Sequence, residues 1–167
     1  MNMLSAPSTP LSPATVPVAP PPPPDIPTGV SFVAYTDDGK IDGHGNMPRE
    51  MFYFCRNERG HNILMGEGLP ETHYVEFVGE ARAPVLRVRP HLEHSFDKTE
   101  IAVREAATIA DLPAATVTFE GPVRGRYEHP GGAGLMVGWT VPGTYTVRIE
   151  AFPYLPAEFT LTVEDAT

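Results

Sequence analysis

Alternation of apolar and polar residues is strongest near the C-terminus, in the segment GTYTVRIEAF at residues 143–152. Every second residue from Tyr145 to Ala151 is apolar, and threonine, arginine and glutamate fill the positions between them. Successive side chains of a β-strand point to opposite faces of its sheet, so a period of two is typical of a strand with one buried face. The pattern predicts a strand here, with the Tyr145 side facing a core.

Four more short alternating segments, EIAVRE, ATVTFEG, GLMVGWT and AEFTLTVED, lie between residues 100 and 165, with Pro and Gly in the connections. Such spacing is typical of a β-sandwich. Tyr145 stands just after a Pro-Gly turn at the start of a long late strand, where an immunoglobulin-like sandwich places the tyrosine of its tyrosine corner. We therefore predict an immunoglobulin-like β-sandwich over residues 91–167.

Residues 28–90 have a mixed pattern, which predicts a small α+β module of four or five strands and one short helix. Two β-rich runs flank the turn sequence Asp37-Asp38-Gly39 and predict a hairpin. The segments HNILMGEG, THYVEFVGE and PVLRVRP predict the remaining strands. The fold class predicted for the whole chain is therefore mainly β.

The predicted helix lies in NMPREMFYFCRNERG at residues 46–60. Asn46 is a suitable N-cap, Pro48 suits the first turn, and Gly60 suits the C-terminal end. The buried face predicted from helical spacing consists of Met51, Phe54 and Cys55.

Residues 1–27 form a proline-rich arm that contains ten of the twenty prolines, no Lys or Arg, and one acidic residue, Asp25. Proline fixes φ and has no amide hydrogen, so the arm is expected to be extended, as polyproline II or without regular structure. It is either a flexible linker or a stiff segment that docks on a neighbouring chain. In the second case the expected partner-binding residues are Pro20, Pro21, Pro22, Pro23, Pro24 and Ile26.

The formal net charge of -9 at pH 7 argues against nucleic acid and anionic membrane surfaces as partners, because both favour a basic face. No run of about eighteen apolar residues is present, and the N-terminus lacks the basic and apolar regions of a signal peptide. We therefore predict no membrane insertion and synthesis in a cytoplasm. The single cysteine, Cys55, excludes a disulfide within the chain and is expected to be a buried, inert thiol.

The motifs that resemble catalytic or metal sites are incomplete. The sequence HLEH places His91 and His94 around Glu93, which supplies at most two of the four ligands of a structural zinc site. The sequence DDGKIDG lacks the later Glu of an EF-hand, so a hairpin turn explains it better. No nucleophile has a base at recognisable spacing. We predict no catalytic, cofactor-binding or metal-binding residues and a protein that is not an enzyme.

Aromatic side chains are the candidate binding residues, because Trp and Tyr are favoured at interfaces and can stack on sugar rings. Trp139 is predicted to fill the core of the sandwich. The predicted surface contacts are Tyr127, Phe152 and Tyr154, and the last two belong to the proline-broken segment AFPYLP, which is expected at an edge or corner.

The segments ATIADLPAATVTFEGP and VPGTYTVRIEAFPYLPAEFTLTVE resemble the C-terminal immunoglobulin-like half of small tail-associated virion proteins of tailed bacteriophages. The preceding FVAYTDDGKIDGHGNMPREMF, followed by GEG, THYV and a strand ending in RP, resembles the leading segment of the same proteins. The resemblance covers residues 30–165 and leaves out the arm. The sequence departs from the family pattern around RYEHPGGAGLMVGW.

The resemblance implies a structural or adhesive component of the virion, namely a fibre, tip or accessory protein of the tail that is made in the host cytoplasm. It implies contacts with other tail or capsid subunits, a homo-oligomer or many copies in a symmetric assembly, and contact with a host surface glycan. The arm is then expected to be the anchor. Two alternatives stay open: a capsid decoration protein, and a free-standing carbohydrate-binding or adhesion module, which a cluster of exposed aromatic residues would distinguish.

Overall fold

The computed structural model describes residues 29–165, and the fold is mainly β. The predicted arm of residues 1–27, with its expected partner-binding prolines and Ile26, lies outside the described residues, as do residues 28, 166 and 167. Within the described part, no helix has the length and apolar character needed to span a membrane.

The first half of the described chain contains five strands and one short helix. The strands are β1 Gly29–Tyr35, β2 Ile41–Pro48, β3 Ile63–Met65, β4 His73–Val78 and β5 Ala83–Val88, and helix α1 Arg49–Tyr53 continues into a π-helical turn, Phe54–Glu58. They form a three-stranded sheet in the order β2-β1-β3 and a separate hairpin of β4 and β5. The number and kind of these elements agree with the prediction for this segment.

The predicted turn at residues 37–39 connects β1 to β2. Gly39 has a φ of 87°, and its carbonyl oxygen accepts a hydrogen bond from the amide of Val75 in β4 at 2.8 Å. A Cβ at position 39 would lie 2.1 Å from the carbonyl oxygen of Val75. The turn therefore needs glycine both for its conformation and for its close contact with β4, which joins the two sheets.

The helical segment starts after Pro48 and its π-helical turn is followed by Gly60, which has a φ of 66°. Asn46 does not cap the helix, because β2 continues to Pro48 and the Asn46 side chain accepts a hydrogen bond from the Ser31 hydroxyl at 2.9 Å. The helix is therefore shorter at its N-terminal end than the cap signal predicts.

The predicted buried face of the helix was wrong. Phe52 is fully buried against Val30 and Ile63, whereas Met51 and Phe54 are exposed. Helix α1 is only five residues long and the next turn is π-helical, so a spacing of 3.6 residues per turn does not continue through the segment. Cys55 is only partly buried and packs beside this cluster.

The second half of the described chain contains seven strands in two sheets. The strands are β6 Glu100–Ala102, β7 Ala107–Leu112, β8 Ala115–Glu120, β9 Gly125–His129, β10 Ala133–Val137, β11 Gly143–Glu150 and β12 Ala157–Glu164. Five of them form a sheet in the order β6-β12-β11-β8-β9, and β10 and β7 form the other. All neighbours are antiparallel except β12 and β6, which are parallel.

Strands β7 and β9 were not among the predicted strands. Strand β7 is irregular, because Asp111 has a φ of 51° and the pairing with β10 shifts register between Ala133 and Leu135. Strand β9 has the sequence GRYEH, in which only Tyr127 strongly favours a strand. Both strands are set by pairing with their neighbours more than by their own sequence.

The two sheets enclose one core, and Tyr145 lies at its centre. The residues at every second position from Tyr145 to Ala151 are buried, which confirms the predicted phase of β11. Trp139 is also buried, as predicted, and its ring stacks on that of Tyr145 with centroids 4.2 Å apart. The Tyr145 hydroxyl donates a hydrogen bond to the carbonyl oxygen of Val141 at 2.9 Å. This bond ties the connection before β11 to the core.

The buried apolar residues form separate clusters before and after residue 90. Two small clusters surround Phe52 and Val75 in residues 29–90, called the first module below. One large cluster contains the buried residues of both sheets in residues 91–165, called the second module. Each module thus has apolar packing of its own.

Replacing Tyr145 with phenylalanine tests the hydrogen bond to Val141. We expect Tyr145→Phe to lower the free energy of unfolding by about 1–2 kcal/mol, because the ring still packs on Trp139 while the Val141 carbonyl loses its donor. Urea unfolding followed by the fluorescence of Trp139 measures this. The control is Tyr127→Phe, at a half-exposed ring, which should change stability by less than about 0.5 kcal/mol. Equal effects of the two changes would contradict a structural role for the Tyr145 hydroxyl.

Candidate functional site

An apolar cleft opens in the second module because its two sheets differ in size. Tyr127 of β9 lies directly opposite Val117 of β8, so its side chain is on the inner face of the five-stranded sheet. Within residues 29–165, only β10 and β7 lie across from that face, and they leave β9 uncovered. Tyr127 is consequently 50% exposed, although Val117 beside it is buried. The cleft is the part of the inner face that the smaller sheet does not cover.

The cleft has a volume of about 580 Å³ and an apolar lining. Its exposed apolar side chains are Val123 and Tyr127, with the outward-facing Met136 of β10, 70% exposed, at its edge, and the buried residues beneath them include Leu135 and Trp139. No Asp, Glu, Lys or Arg is among the described residues that line it. Contiguous exposed apolar surface of this kind is typical of a binding site.

Aromatic rings form the floor of the cleft and connect it to the core. The Phe119 ring lies over Gly125, where a Cβ would come within 2.3 Å of it, so only glycine admits the ring in this position. Phe119 meets Trp139 edge to face, with centroids 5.9 Å apart, and Trp139 stacks on Tyr145. The floor is therefore held rigidly by the central packing of the module.

The walls of the cleft are β9 and β10, and each is an edge strand. Within residues 29–165, β9 pairs only with β8, and β10 pairs only with β7. The two walls are joined by a short turn, across which the buried His129 Nε2 lies 3.1 Å from the carbonyl oxygen of Ala133. A carbonyl accepts, so Nε2–H donates this bond. The spacing of the walls is thereby fixed within the module.

The structure places only one of the three predicted contact aromatics on an open surface. Tyr127 is half exposed in the cleft, whereas Phe152 and Tyr154 are partly buried. The Phe152 ring meets Tyr74 of the first module edge to face, at 6.0 Å between centroids, and Tyr154 packs against the core of the second module. Phe152 and Tyr154 are therefore packing residues here, which corrects their predicted position at an exposed corner.

Arg89 joins the two modules. Its side chain donates a hydrogen bond to the Pro153 carbonyl at 2.9 Å and another to the Tyr154 carbonyl, both 64 or more residues further along the chain. Beside it, the amide of Leu155 donates to the carbonyl of Pro90 at 2.8 Å. The Arg89 guanidinium also lies 6.0 Å from the centre of the Phe152 ring. The Arg89 side chain thus holds the segment that contains Phe152 and Tyr154, the two aromatic residues that were predicted to be exposed.

A second cavity, of about 520 Å³, lies at this junction and has charged walls of both signs. Among its lining residues, Glu128 accepts hydrogen bonds from the Thr116 hydroxyl at 2.7 Å and from Arg126 at 2.8 Å, and these bonds lower the pKa of Glu128. Glu150 is paired with Arg148 at 2.7 Å. Its carboxylates are therefore engaged in exposed ion pairs and hydrogen bonds.

The other carboxylates with shifted pKa values lie at the surface too. The Lys40 and Thr36 side chains lower the pKa of Asp38 in the β1–β2 turn to about 2, and Lys98 lowers the pKa of Glu105. These aspartate and glutamate groups serve as turn and ion-pair partners, in line with the hairpin interpretation of DDGKIDG.

The HLEH histidines do not form part of a larger ligand cluster. No group of three or more His, Cys, Asp or Glu residues within residues 29–165 has the geometry to hold a metal ion. His91 is exposed, and the buried Nδ1 of His94 has no hydrogen-bond partner within the described part of the chain.

A smaller apolar patch lies on the helical segment of the first module. It consists of Met51, Tyr53 and Phe54, each between 44% and 50% exposed. The Arg59 guanidinium lies over the Phe54 ring at 5.5 Å. Unlike the cleft, the patch carries a cation beside it.

The sequence predicted Tyr127 as a surface contact and gave no indication of Val123, Met136 or the cleft itself. In GLMVGW, the residue between Leu135 and Val137 falls on the outward phase of the strand, which is a local signal for an exposed Met136. The cleft depends on how many strands each sheet contains, and no local sequence signal indicates that number.

No protein-family model matches the chain, and no curated protein matches it.

Removing the Arg89 side chain should loosen the junction between the modules. We expect Arg89→Ala to accelerate hydrogen exchange at the Leu155 amide by at least about tenfold, because that bond to Pro90 depends on the docked segment. The matched control is Arg87→Ala, two residues earlier in β5, which removes only an exposed pair with Glu76 and should leave the exchange unchanged. Exchange mass spectrometry measures both. Unchanged protection in Arg89→Ala would show that other contacts hold the junction.

Proposed function

We propose that this protein is a structural component of a tailed bacteriophage virion, associated with the tail as a fibre, tip or accessory protein. The folded modules project from the particle, and the N-terminal arm anchors them to neighbouring subunits. The assignment to a virion rests on the resemblance of residues 30–165, and the binding role rests on the geometry of the cleft. It is a proposal about assembly and contact, with no chemical reaction.

The second module in this proposal is an immunoglobulin-like sandwich. The sheet order β12-β11-β8-β9 corresponds to strands G, F, C and C′ of such a domain, and the pair β7 and β10 corresponds to strands B and E. Tyr145 stands at the start of the strand equivalent to F and bonds backward to Val141, as the tyrosine corner does. Both features support the interpretation made from the sequence.

The observation that carries the proposal is the apolar cleft with its half-exposed Tyr127 and with Met136 at its edge. An uncharged groove walled by two edge strands suits an extended segment of another protein. A hydrolase site would instead need an acid or base whose pKa is shifted toward neutrality. The shifted carboxylates in residues 29–165 have lowered pKa values, which suits ion pairing.

A protein partner is favoured over a glycan by the placement of the aromatic residues. A sugar-binding surface of the kind predicted would combine Tyr127, Phe152 and Tyr154. Only Tyr127 is exposed, while Phe152 packs against Tyr74 at the junction. The cluster of exposed aromatic residues that would have distinguished a free-standing carbohydrate-binding module is therefore not formed by these three residues.

The proposal is tested by the composition of purified particles of the phage that encodes this chain. We expect mass spectrometry to find the chain in a constant ratio to the tail subunits, and in tails after heads and tails are separated. Deleting residues 1–27 should abolish incorporation, while circular dichroism of the truncated chain still shows the β-rich fold. Recovery with the heads would favour the capsid decoration alternative. Absence from particles, or normal incorporation of the truncated chain, would contradict the proposal.

A further inference from the structure

We infer that the apolar cleft between β9 and β10 binds the proline-rich arm of a second copy of this chain, residues 7–24, as a polyproline II helix. The inference rests on the proposed assembly role, because it identifies the surface that receives the anchoring arm.

The prolines of the arm recur with a period of three. Pro7, Pro10 and Pro13 are three residues apart, and so are Pro17, Pro20 and Pro23. A polyproline II helix has three residues per turn, so each set of prolines occupies one face. Segments of the form Pro-x-x-Pro are recognised by aromatic-lined grooves, and they bind at a low entropic cost because the helix is already formed.

The cleft offers the matching chemistry. Tyr127 supplies an exposed aromatic ring, the partly buried Phe119 and the buried Trp139 line the floor beneath it, and Met136 adds a flexible apolar side chain at the edge. Residues 1–24 contain no charged side chain, and no Asp, Glu, Lys or Arg of the described residues lines the cleft. An uncharged groove therefore meets an uncharged ligand, and neither side has to bury an unpaired charge.

Strand addition along β9 or β10 suits this arm less well. Adding a strand to a sheet edge requires backbone amide donors along the new strand. Ten of the first 27 residues are prolines and have no amide hydrogen. Recognition of proline rings by aromatic rings does not depend on those donors, so the groove mode is the one that fits.

The position of Gly29 favours an arm from another copy. Gly29 pairs with Pro48 at one end of the β1–β2 hairpin, and the turn at the other end places Lys40 5.5 Å from the centre of the Phe152 ring. The seven residues of β1 span roughly 20 Å, so the chain enters the first module at the end of the hairpin opposite the turn that contacts the second module. With residues 7–24 bound as proposed, only residues 25–28 connect them to Gly29, and four extended residues reach at most about 14 Å.

The test is cross-linking within the full-length protein. A photoreactive benzoylphenylalanine replaces Val18 in an unlabelled chain, which is mixed with a ¹⁵N-labelled chain without it and irradiated. Mass spectrometry then identifies which residues are joined and whether they belong to the same copy. We expect cross-links from position 18 to Met136 or Tyr127 in the heavy copy.

Variants of the cleft test the same contact by self-association. We expect Met136→Glu and Tyr127→Ser each to weaken self-association of the full chain by at least about tenfold in sedimentation velocity, because a charge or a lost ring removes an apolar contact. Both side chains are at least half exposed, so the fold should be retained, and circular dichroism checks this. A synthetic peptide of residues 5–24 should dissociate the same oligomer. The matched control is Tyr53→Ser, at a tyrosine of similar exposure on the helical patch, which should have no effect.

Four results would overturn the inference: cross-links within one copy only, cross-links to the helical patch, a strictly monomeric full-length chain, or equal self-association of the cleft variants and the control. Particle composition separates this inference from the proposed function. A chain that is present in particles but makes no cleft contact defeats the inference alone. A chain that self-associates through the cleft but is absent from particles defeats the virion role alone.

Discussion

The inner face of the five-stranded sheet in the second module must be covered, and the two strands opposite it are too few. Near Tyr145, cover is complete: Trp139, which follows β10, stacks on the tyrosine ring and closes the core. Farther out, Phe119 folds over Gly125 and fills part of the gap. At β9 nothing in residues 29–165 completes the cover, so Tyr127 stays half exposed. The cleft follows from this shortage of strands, and the aromatic row makes it rigid.

The first module has a different weakness, which the junction offsets. Its buried residues form two small clusters, because the three-stranded sheet and the β4–β5 hairpin do not make one continuous sheet. Domains of this size bury little surface and gain from additional contacts. The carbonyl of Gly39 connects the β1–β2 turn to Val75 of β4. The side chain of Arg89, just after β5, connects the first module to the segment after β11. Packing of Phe152 against Tyr74 therefore stabilises both modules, and this contact is the reason that the two rings are partly buried.

The sequence predicted best those features that depend on local periodicity. The phase of β11, the burial of Trp139 and the β1–β2 turn each follow from short-range patterns, and each is confirmed. Predictions failed where a distant partner decides the outcome. Phe152 is partly buried because of Tyr74 and Arg89, and Phe52 replaces Met51 on the buried face because the helix is too short to keep its period. The cleft could not be predicted, because it depends on the number of strands in each sheet.

Arm exchange between copies, as proposed, makes the junction part of the assembly geometry. The arm leaves the fold at Gly29 in the first module, whereas the cleft that receives an arm lies in the second. Such a contact uses different surfaces on the two copies, so its repetition produces a ring if the rotation closes and a filament if it does not. The angle between donor and acceptor is set by how the modules are joined, and hence by the hydrogen bonds of Arg89 to Pro153 and Tyr154. A rigid junction would give every copy the same angle, which a symmetric assembly requires. The same side chain that compensates for a small core would then also determine the symmetry of the assembly.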